Sequence, residues 1–267
     1  MLASAFASEV DRRLNLPASE QKQYAETLSK ILIERQISES QYVVLVDRCE
    51  MVQALMIFWL SPEGTLQLIG ASPVSTGKPG TFDHSKTPVG IFEHTTDNLD
   101  FRAEGTRNEN GIRGYGLKGM RVYDFGWQKA VQGWGHRNES EIRLQMHATD
   151  PVLEKRLGTA QSKGCVRIPA SLNAFIDRYG ILDAGYDLSL AEGASFWVLS
   201  KTRMPTPWSG RFLIVIDSER KTRPGWSPLP GSQKPSSVTS LRGTNTRAAD
   251  ATENRTAAHN TPLSPVP

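Results

Sequence analysis

The sequence predicts a mainly β domain, preceded by one amphipathic helix and followed by a disordered tail. Three observations predict it. Tyr42–Asp47, Met51–Leu60 and Thr65–Val74 are β-branched or apolar runs separated by turn residues, Asp47-Arg48 and Pro62-Glu63-Gly64, which is the pattern of a β-meander. Ser19–Gln36 carries Tyr24, Leu28, Ile31 and Leu32 at i, i+4, i+7 and i+8, a single apolar stripe on a helix. From about Arg220 to Pro267 the chain is Ser, Thr, Pro, Arg and Ala with almost no large apolar residue, too little to offset the entropy of ordering it.

The 267 residues suit one substantial domain with appendages, or two small domains. Residues 1–7 contain Ala5-Phe6-Ala7 before Ser8, the small-x-small form of a cleavage site. They read either as the end of an export signal that starts upstream or as a frayed terminus. Residues 8–40 form the N-terminal helical segment, with Pro17 at its boundary and Ser19 as its expected N-cap. Residues 41–218 hold the β domain. Ile91–Glu93 and Arg143–Met146 add short strands, while Phe196–Leu199 and Phe212–Asp217 read as closing strands. Asn98–Ser140 is rich in Gly, Arg and Asn, with Tyr115, Tyr123, Trp127 and Trp134 spread through it. It reads as an elaborated loop, and its aromatics suggest either a functional cleft or loop packing. Residues 219–267 are the expected disordered tail.

Composition excludes several functions. A formal net charge of +3 is too small to indicate nucleic acid, and no Lys/Arg run is interleaved with aromatics. The longest apolar run, Leu55–Leu60, falls far short of the ~20 residues of a membrane span. Two cysteines, Cys49 and Cys165, lack the density of a disulfide scaffold, and Cys49 reads as a small, partly buried thiol. His84, His94 and His136 show no ligand-like spacing, so no metal is expected, nor any cofactor.

The informative segment runs from Met146-His147-Ala148 to Ser162-Lys163-Gly164-Cys165-Val166-Arg167-Ile168. If its second part is extended, Val166 and Ile168 face a core while Cys165 and Arg167 face a cleft. Pro169 then ends the strand, and Leu172, Phe175, Ile176 and Tyr179 make a helical stripe stopped by Gly180. A thiol is only about 3% ionised at pH 7. An imidazole in reach can take its proton and return it to a leaving amine. Backbone N–H groups at Gly164 and Cys165 are candidate oxyanion donors. One cysteine and one histidine are a bare minimum for such chemistry, and they leave a non-catalytic reading open. Arg167 reads either as a binder of a substrate carboxylate or as a stabiliser of the loop. Ser162 reads as a turn hydrogen-bonder rather than a second nucleophile, and Thr87-Pro88 with Gly90 as turn chemistry.

These residues strongly resemble the signature of YkuD-type L,D-transpeptidases. In that signature a histidine is followed by a spacer, then by Ser/Thr-His-Gly-Cys and, one residue further, Arg or Asn. Cys165 follows His147 by 18 positions, the family's spacing. Val43–Asp47, Val74-Ser75-Thr76-Gly77 and Thr87-Pro88-Val89-Gly90-Ile91-Phe92 are similar to that domain's opening strands and its Thr-Pro-x-Gly turn. The likeness covers roughly Tyr42 to Leu190.

The resemblance implies a catalytic domain of β-sandwich-like mixed sheets with short helices, acting in the periplasm or cell envelope. Its partners are peptidoglycan stem peptides, donor and acceptor. A thioester on Cys165 would release terminal D-alanine and pass the acyl group to an amine. The outcome is a 3→3 cross-link, the anchoring of a lipoprotein, or, with water as acceptor, a trimmed stem. His147 takes the role of base, and the Ala148 carbonyl that of orienting it. One position departs: the histidine two residues before the cysteine is Lys163 here. That departure keeps open a cell-wall binding module without activity. On the catalytic reading Lys163, on the Cys165 side of an extended segment, tunes the thiol by favouring its anion.

Overall fold

The apolar runs after residue 41 pair into a sheet buried on both faces, so they read as continuous rather than alternating. The computed structural model describes residues 2–136 and 138–230. Strands β1 (Gln41–Asp47), β2 (Ala54–Leu60) and β3 (Leu66–Pro73) form an antiparallel meander. With β4 (Gly90–Glu93) and β9 (Phe212–Ile216) they complete a five-stranded sheet in the order β3-β2-β1-β9-β4, where β1 and β9 run parallel. A second sheet has the order β5-β6-β7-β8, built from Phe101–Arg102, Arg121–Val131, Glu139–Ala148 and Val166–Ile168.

Val44, Val46, Ile57 and Leu213 from the first sheet pack against Tyr123, Leu144, Met146 and Val166 from the second. Two short helices, α3 (Ala170–Tyr179) and α4 (Ala184–Ala191), follow β8, and α3 adds Leu172, Phe175 and Ile176 to this core. The other face of the first sheet is covered by helix α2 (Ala18–Glu34), whose Tyr24, Leu28 and Leu32 meet Val43, Leu45, Met56 and Ile214. The result is the mixed-sheet domain with short helices that the sequence predicts.

Five expectations are corrected. The helix begins at Ala18 with Pro17 as its N-cap and no side-chain cap, so Ser19 does not serve. A second helix, α1 (Leu2–Glu9), precedes it. Residues 2–7, read as a signal remnant or frayed end, are built into the fold. The Phe6 ring lies edge-on to Phe175 at 5.3 Å, over Gly70, where an added Cβ would fall 2.2 Å from the ring.

The stretch 98–140 contains β5 and the longest strand, β6. Arg121, Asp124 and Gly126 interrupt the apolar pattern of β6, because the polar pair is buried there by ion pairing rather than exposed. Phe196–Leu199 is not a strand. Val198 is buried and Phe196 packs on Tyr186 at 4.8 Å, so the run contributes packing without pairing.

The first part of the tail expected from 219 is packed on the domain. Residues 218–230 form a strap in which Arg220 pairs with Glu20 at 3.0 Å and Trp226 meets Tyr24 edge-on at 6.0 Å. Ser227 is buried, its hydroxyl donating to the Val52 carbonyl at 2.5 Å. The remainder of the expected tail, 231–267, lies outside the described residues.

A buried charge network joins β5, β6 and the α3–α4 turn. His94 has no exposed surface. Its Nδ1 lies 2.7 Å from the Leu182 carbonyl and its Nε2 2.8 Å from the Asp100 carboxylate. Both neighbours only accept, so both ring nitrogens donate and the ring is an imidazolium. Burial alone would lower the His94 pKa, and Arg121 opposes the charge as well. The Asp100 charge and hydrogen bond, with the Leu182 carbonyl, reverse this and hold it above the usual value.

A folded pKa above the unfolded value near 6.5 gives stability that is fully present below about pH 6.5. That stability is lost as pH rises through the folded pKa. The urea midpoint is therefore expected to fall as pH rises above about 6.5, and His94→Gln to remove that slope. An identical slope in the variant would assign it to another group.

Candidate active site

Strand β7 presents Leu144, Met146 and Ala148 to the core, which turns Gln145 and His147 to the opposite face. β8 lies parallel to β7, with Met146 opposite Val166, His147 opposite Arg167 and Ala148 opposite Ile168. Val166 and Ile168 are fully buried and Arg167 is half-buried. Alternation therefore puts Arg167, and Cys165 two residues before it, on the His147 face. The regular strand starts only at Val166. Cys165 stands at its entry, at the end of a loop of eight residues that begins at Gly158.

That loop is held from both sides. Gly158 N–H donates to the Val74 carbonyl at 2.7 Å, Gln161 and Ser162 N–H to the Thr76 carbonyl at 3.0 and 2.9 Å, and Lys78 N–H to the Ser162 carbonyl at 2.9 Å. Ser75 and Arg167 exchange two backbone bonds of 2.9 Å, which extends the sheet beyond β8. Gly164 has φ +140°, and an added Cβ would sit 2.7 Å from Ile142 Cδ1, so glycine is required there. Its carbonyl accepts the Thr87 hydroxyl at 2.6 Å, while Thr87 accepts the Gly77 N–H at 2.9 Å. The Thr-Pro-x-Gly turn thus anchors the residue before the cysteine. The sequence shows the turn but not this contact, because the partners stand 77 residues apart.

Ser162 is fully buried and donates its hydroxyl to the Cys165 carbonyl at 2.6 Å. It also accepts the Gly164 N–H at 3.1 Å. This corrects one expectation: with its N–H committed to Ser162, Gly164 is not placed to donate to an oxyanion. The Cys165 N–H remains the candidate donor.

The imidazole of His147 is buried, with Nδ1 2.8 Å from the Ala148 carbonyl oxygen. Nδ1 therefore carries the proton, and Nε2 keeps a lone pair. Tyr115 closes over the ring edge-on at 4.8 Å. Gly116, with φ +84°, lets this loop approach, since a Cβ there would lie 2.7 Å from that of Ala148. Tyr115 had been only one of several loop aromatics in the sequence.

Burial, helped by the Arg167 charge and opposed by the Ala148 carbonyl, brings the His147 pKa down to about 4. Burial pushes the Cys165 thiol up, and Asp124 adds to this; the Gln145 backbone and Arg167 oppose it. With the base lowered and the acid raised, the resting pair is a neutral thiol and a neutral imidazole.

Lys163 behaves differently from its expected role. Its side chain is 65% exposed and ion-paired to Asp83 at the rim of the cleft. The cation that favours the thiolate is Arg167, not Lys163. The cleft, of about 290 Å³, is lined by Ser85, Trp134, Ile142, Arg143, Gly164 and Cys165 among others, so Trp134 is a cleft residue. Trp127 is 64% exposed and is not among its walls.

The Arg167 guanidinium makes no side-chain hydrogen bond or ion pair among the described residues, and its Nε is buried without a partner. Burial, with Arg156 nearby, lowers its pKa; the Cys165 charge opposes the shift. Cys49 is buried and, like Cys165, free of any disulfide. Among the described residues no cluster of His, Cys, Asp or Glu has the form of a metal site, and no helix is long and apolar enough to cross a membrane.

Residues 41–183 match the family profile described as YkuD: L,D-transpeptidase catalytic domain. No curated protein sequence matches the chain significantly. Among solved structures, it is similar to an L,D-transpeptidase from Mycobacterium smegmatis, at 16% identity and a TM-score of 0.30, covering 66% of this chain and 59% of that one. It is also similar to the LD transpeptidase LdtMt1 in complex with imipenem, at 14% identity and a TM-score of 0.27, covering 51% and 53%. The helical cell shape determining protein Pgp2 from Campylobacter jejuni matches at 13% identity and a TM-score of 0.30, covering 74% of this chain and 58% of that one.

Proposed function

The chain belongs to the YkuD family of L,D-transpeptidase catalytic domains, and from that membership we propose that it is a peptidoglycan L,D-transpeptidase of the cell envelope. Cys165 is its nucleophile and His147 its base. The observation that carries this reading is the state of His147. Its Nδ1 proton is fixed on the Ala148 carbonyl and its ring is neutral, which leaves Nε2 to accept from a thiol on the same face.

The steps follow from a resting pair that is neutral. As sulfur bonds to the carbonyl carbon of the donor stem, the thiol proton passes to Nε2. The carbonyl electrons move onto oxygen, where the Cys165 N–H is the candidate donor. Collapse of that intermediate breaks the C–N bond to the terminal D-alanine, whose amine takes the proton from Nε2. An acceptor amine then attacks the thioester and gives its proton to Nε2. The C–S bond breaks and the thiol is restored. The transient imidazolium is stabilised by the Ala148 carbonyl at Nδ1.

Arg167 supplies the charge for a substrate carboxylate, because a half-buried guanidinium without an acid partner lacks the compensation such a group needs. Arg167→Met is expected to lower kcat/KM for a tetrapeptide donor by about 10- to 100-fold, the worth of one charged hydrogen bond. It should also shift the pH–rate profile toward alkaline values, since the charge that favours the thiolate is gone. Lys163→Ala, by contrast, is expected to change acylation by less than about threefold and leave the profile in place, an exposed pair being worth little. An alkaline shift in the lysine variant and none in the arginine variant would reverse this assignment.

Incubation with purified disaccharide-tetrapeptide, followed by mass spectrometry, tests the function itself. Cross-linked dimers with loss of D-alanine are expected. Shortened stems alone would indicate water as acceptor. Failure of Cys165 to form a covalent adduct with a carbapenem would leave a binding module without chemistry.

A further inference from the structure

The strap at residues 218–230 lies beyond the family's catalytic domain at 41–183, yet it reaches the loop that ends in Cys165. The link is one guanidinium. Arg223 Nη2 donates to the Gly158 carbonyl at 3.2 Å and to the Glu50 carbonyl at 2.7 Å. Its Nη1 donates back to the Ser227 carbonyl at 3.2 Å, and Ser227 is bonded to the Val52 carbonyl. Pro228 and Pro230 lie close by, within 3.6–3.9 Å of where a Cβ on Gly158 would stand.

Gly158 opens the cysteine loop, and Glu50 belongs to the β1–β2 turn. That turn is itself tied to the same loop by a second route. The Gln53 side chain accepts the Thr76 N–H at 2.8 Å and donates to the Thr76 hydroxyl at 2.8 Å. Thr76 in turn holds Gln161 and Ser162 through its carbonyl. Gly158 is pinned on one side by its N–H to Val74 and on the other by its carbonyl to Arg223. The loop start is thus clamped between the first sheet and the strap.

From this we infer that Arg223 is a positioning residue. Through Gly158 it holds the loop 158–165, and the C-terminal strap is a working part of the thiol site rather than an appendage to the domain. Its effect on Cys165 rests on the proposed function only where acylation is measured. The loop geometry itself can be measured independently.

The experiment uses the full chain and its Arg223→Met and Arg223→Lys variants, with three readouts: backbone amide exchange by mass spectrometry, thermal melting, and the rate of Cys165 acylation by a carbapenem. In Arg223→Met, exchange over 158–165 is expected to rise by about tenfold or more, with β1 and β9 unchanged, as for a local opening. Acylation should fall by about tenfold, because small misplacements of a reacting group are costly. Arg223→Lys, which keeps the charge but loses the fork that also reaches the Ser227 carbonyl, should lie between, and serves as the test if the methionine variant does not fold. Exchange over 158–165 identical to wild type would overturn the inference. So would a uniform rise across all strands that tracks the melting temperature, which is the signature of general destabilisation. If the wild type itself forms no adduct, the function above fails, and the exchange readout still decides the role of Arg223.

Discussion

Cys165→Ala is expected to reduce acyl transfer by at least about a thousand-fold, the scale seen when a covalent nucleophile is removed from a proton-transfer unit. The fold should survive. Neighbouring Val166 and Ile168 carry the packing, whereas Cys165 lies at a cleft wall and its thiol makes a long, 3.9 Å contact with the Arg143 carbonyl. His147→Ala should cost nearly as much, since the two groups act as one unit. It should also cost some stability, because the imidazole is buried under Tyr115. The double variant should then be little worse than either single one. The measurement is the first-order acylation rate with a β-lactam and the turnover of tetrapeptide, set beside melting curves. Retention of more than about a tenth of activity in Cys165→Ala would end the thiol mechanism.

Arg121→Met should have the largest effect on stability, a loss of about 3–5 kcal/mol, as found when one member of a buried ion pair is deleted. Arg121 has no exposed surface. Its Nε donates to Asp100 at 2.6 Å, and its Nη2 pairs with Asp183 at 2.8 Å. Tyr123 and Tyr186 lie 4.9 and 5.0 Å from the guanidinium. Removing the cation leaves these two carboxylates in a dry site with one counter-charge each, His94 for Asp100 and Arg203 for Asp183. Of these, Asp100 is held below its usual pKa, since His94 and Arg121 together outweigh the burial that would raise it.

A methionine fills most of the volume, so the loss is electrostatic rather than a cavity. Part of it should be recovered at acid pH, where Asp100 can take up a proton. Urea midpoints at neutral pH and near pH 4 give the comparison. Equal midpoints for wild type and variant at neutral pH would show that the network contributes nothing net, as some buried ion pairs do.

Several local choices were legible in the sequence because their cause is local. A run such as Val43-Val44-Leu45-Val46 specifies a strand by composition, and the stripe Tyr24, Leu28, Leu32 specifies one helix face. The order His147, then Gly164-Cys165-Val166-Arg167, identifies the family, and simple alternation sorts Val166 from Arg167.

Tertiary structure decided the rest. Strand β6 was hidden because Arg121 and Asp124 look like loop residues until partners distant in sequence neutralise them. The strap looks like tail in the sequence because Arg220, Arg223 and Ser227 are polar, and it is partners such as Glu20, Glu50, Val52 and Gly158 that make them structural. Lys163 could be placed on a side of its strand by alternation, but a flexible cation goes to the nearest carboxylate, and that is Asp83 on a loop 80 residues away. The charge beside the thiol is therefore that of Arg167. Apolar periodicity is carried by neighbours along the chain, so sequence alone determines it; the pairing of charges depends on which carboxylates the fold brings within reach, and only the folded chain sets that.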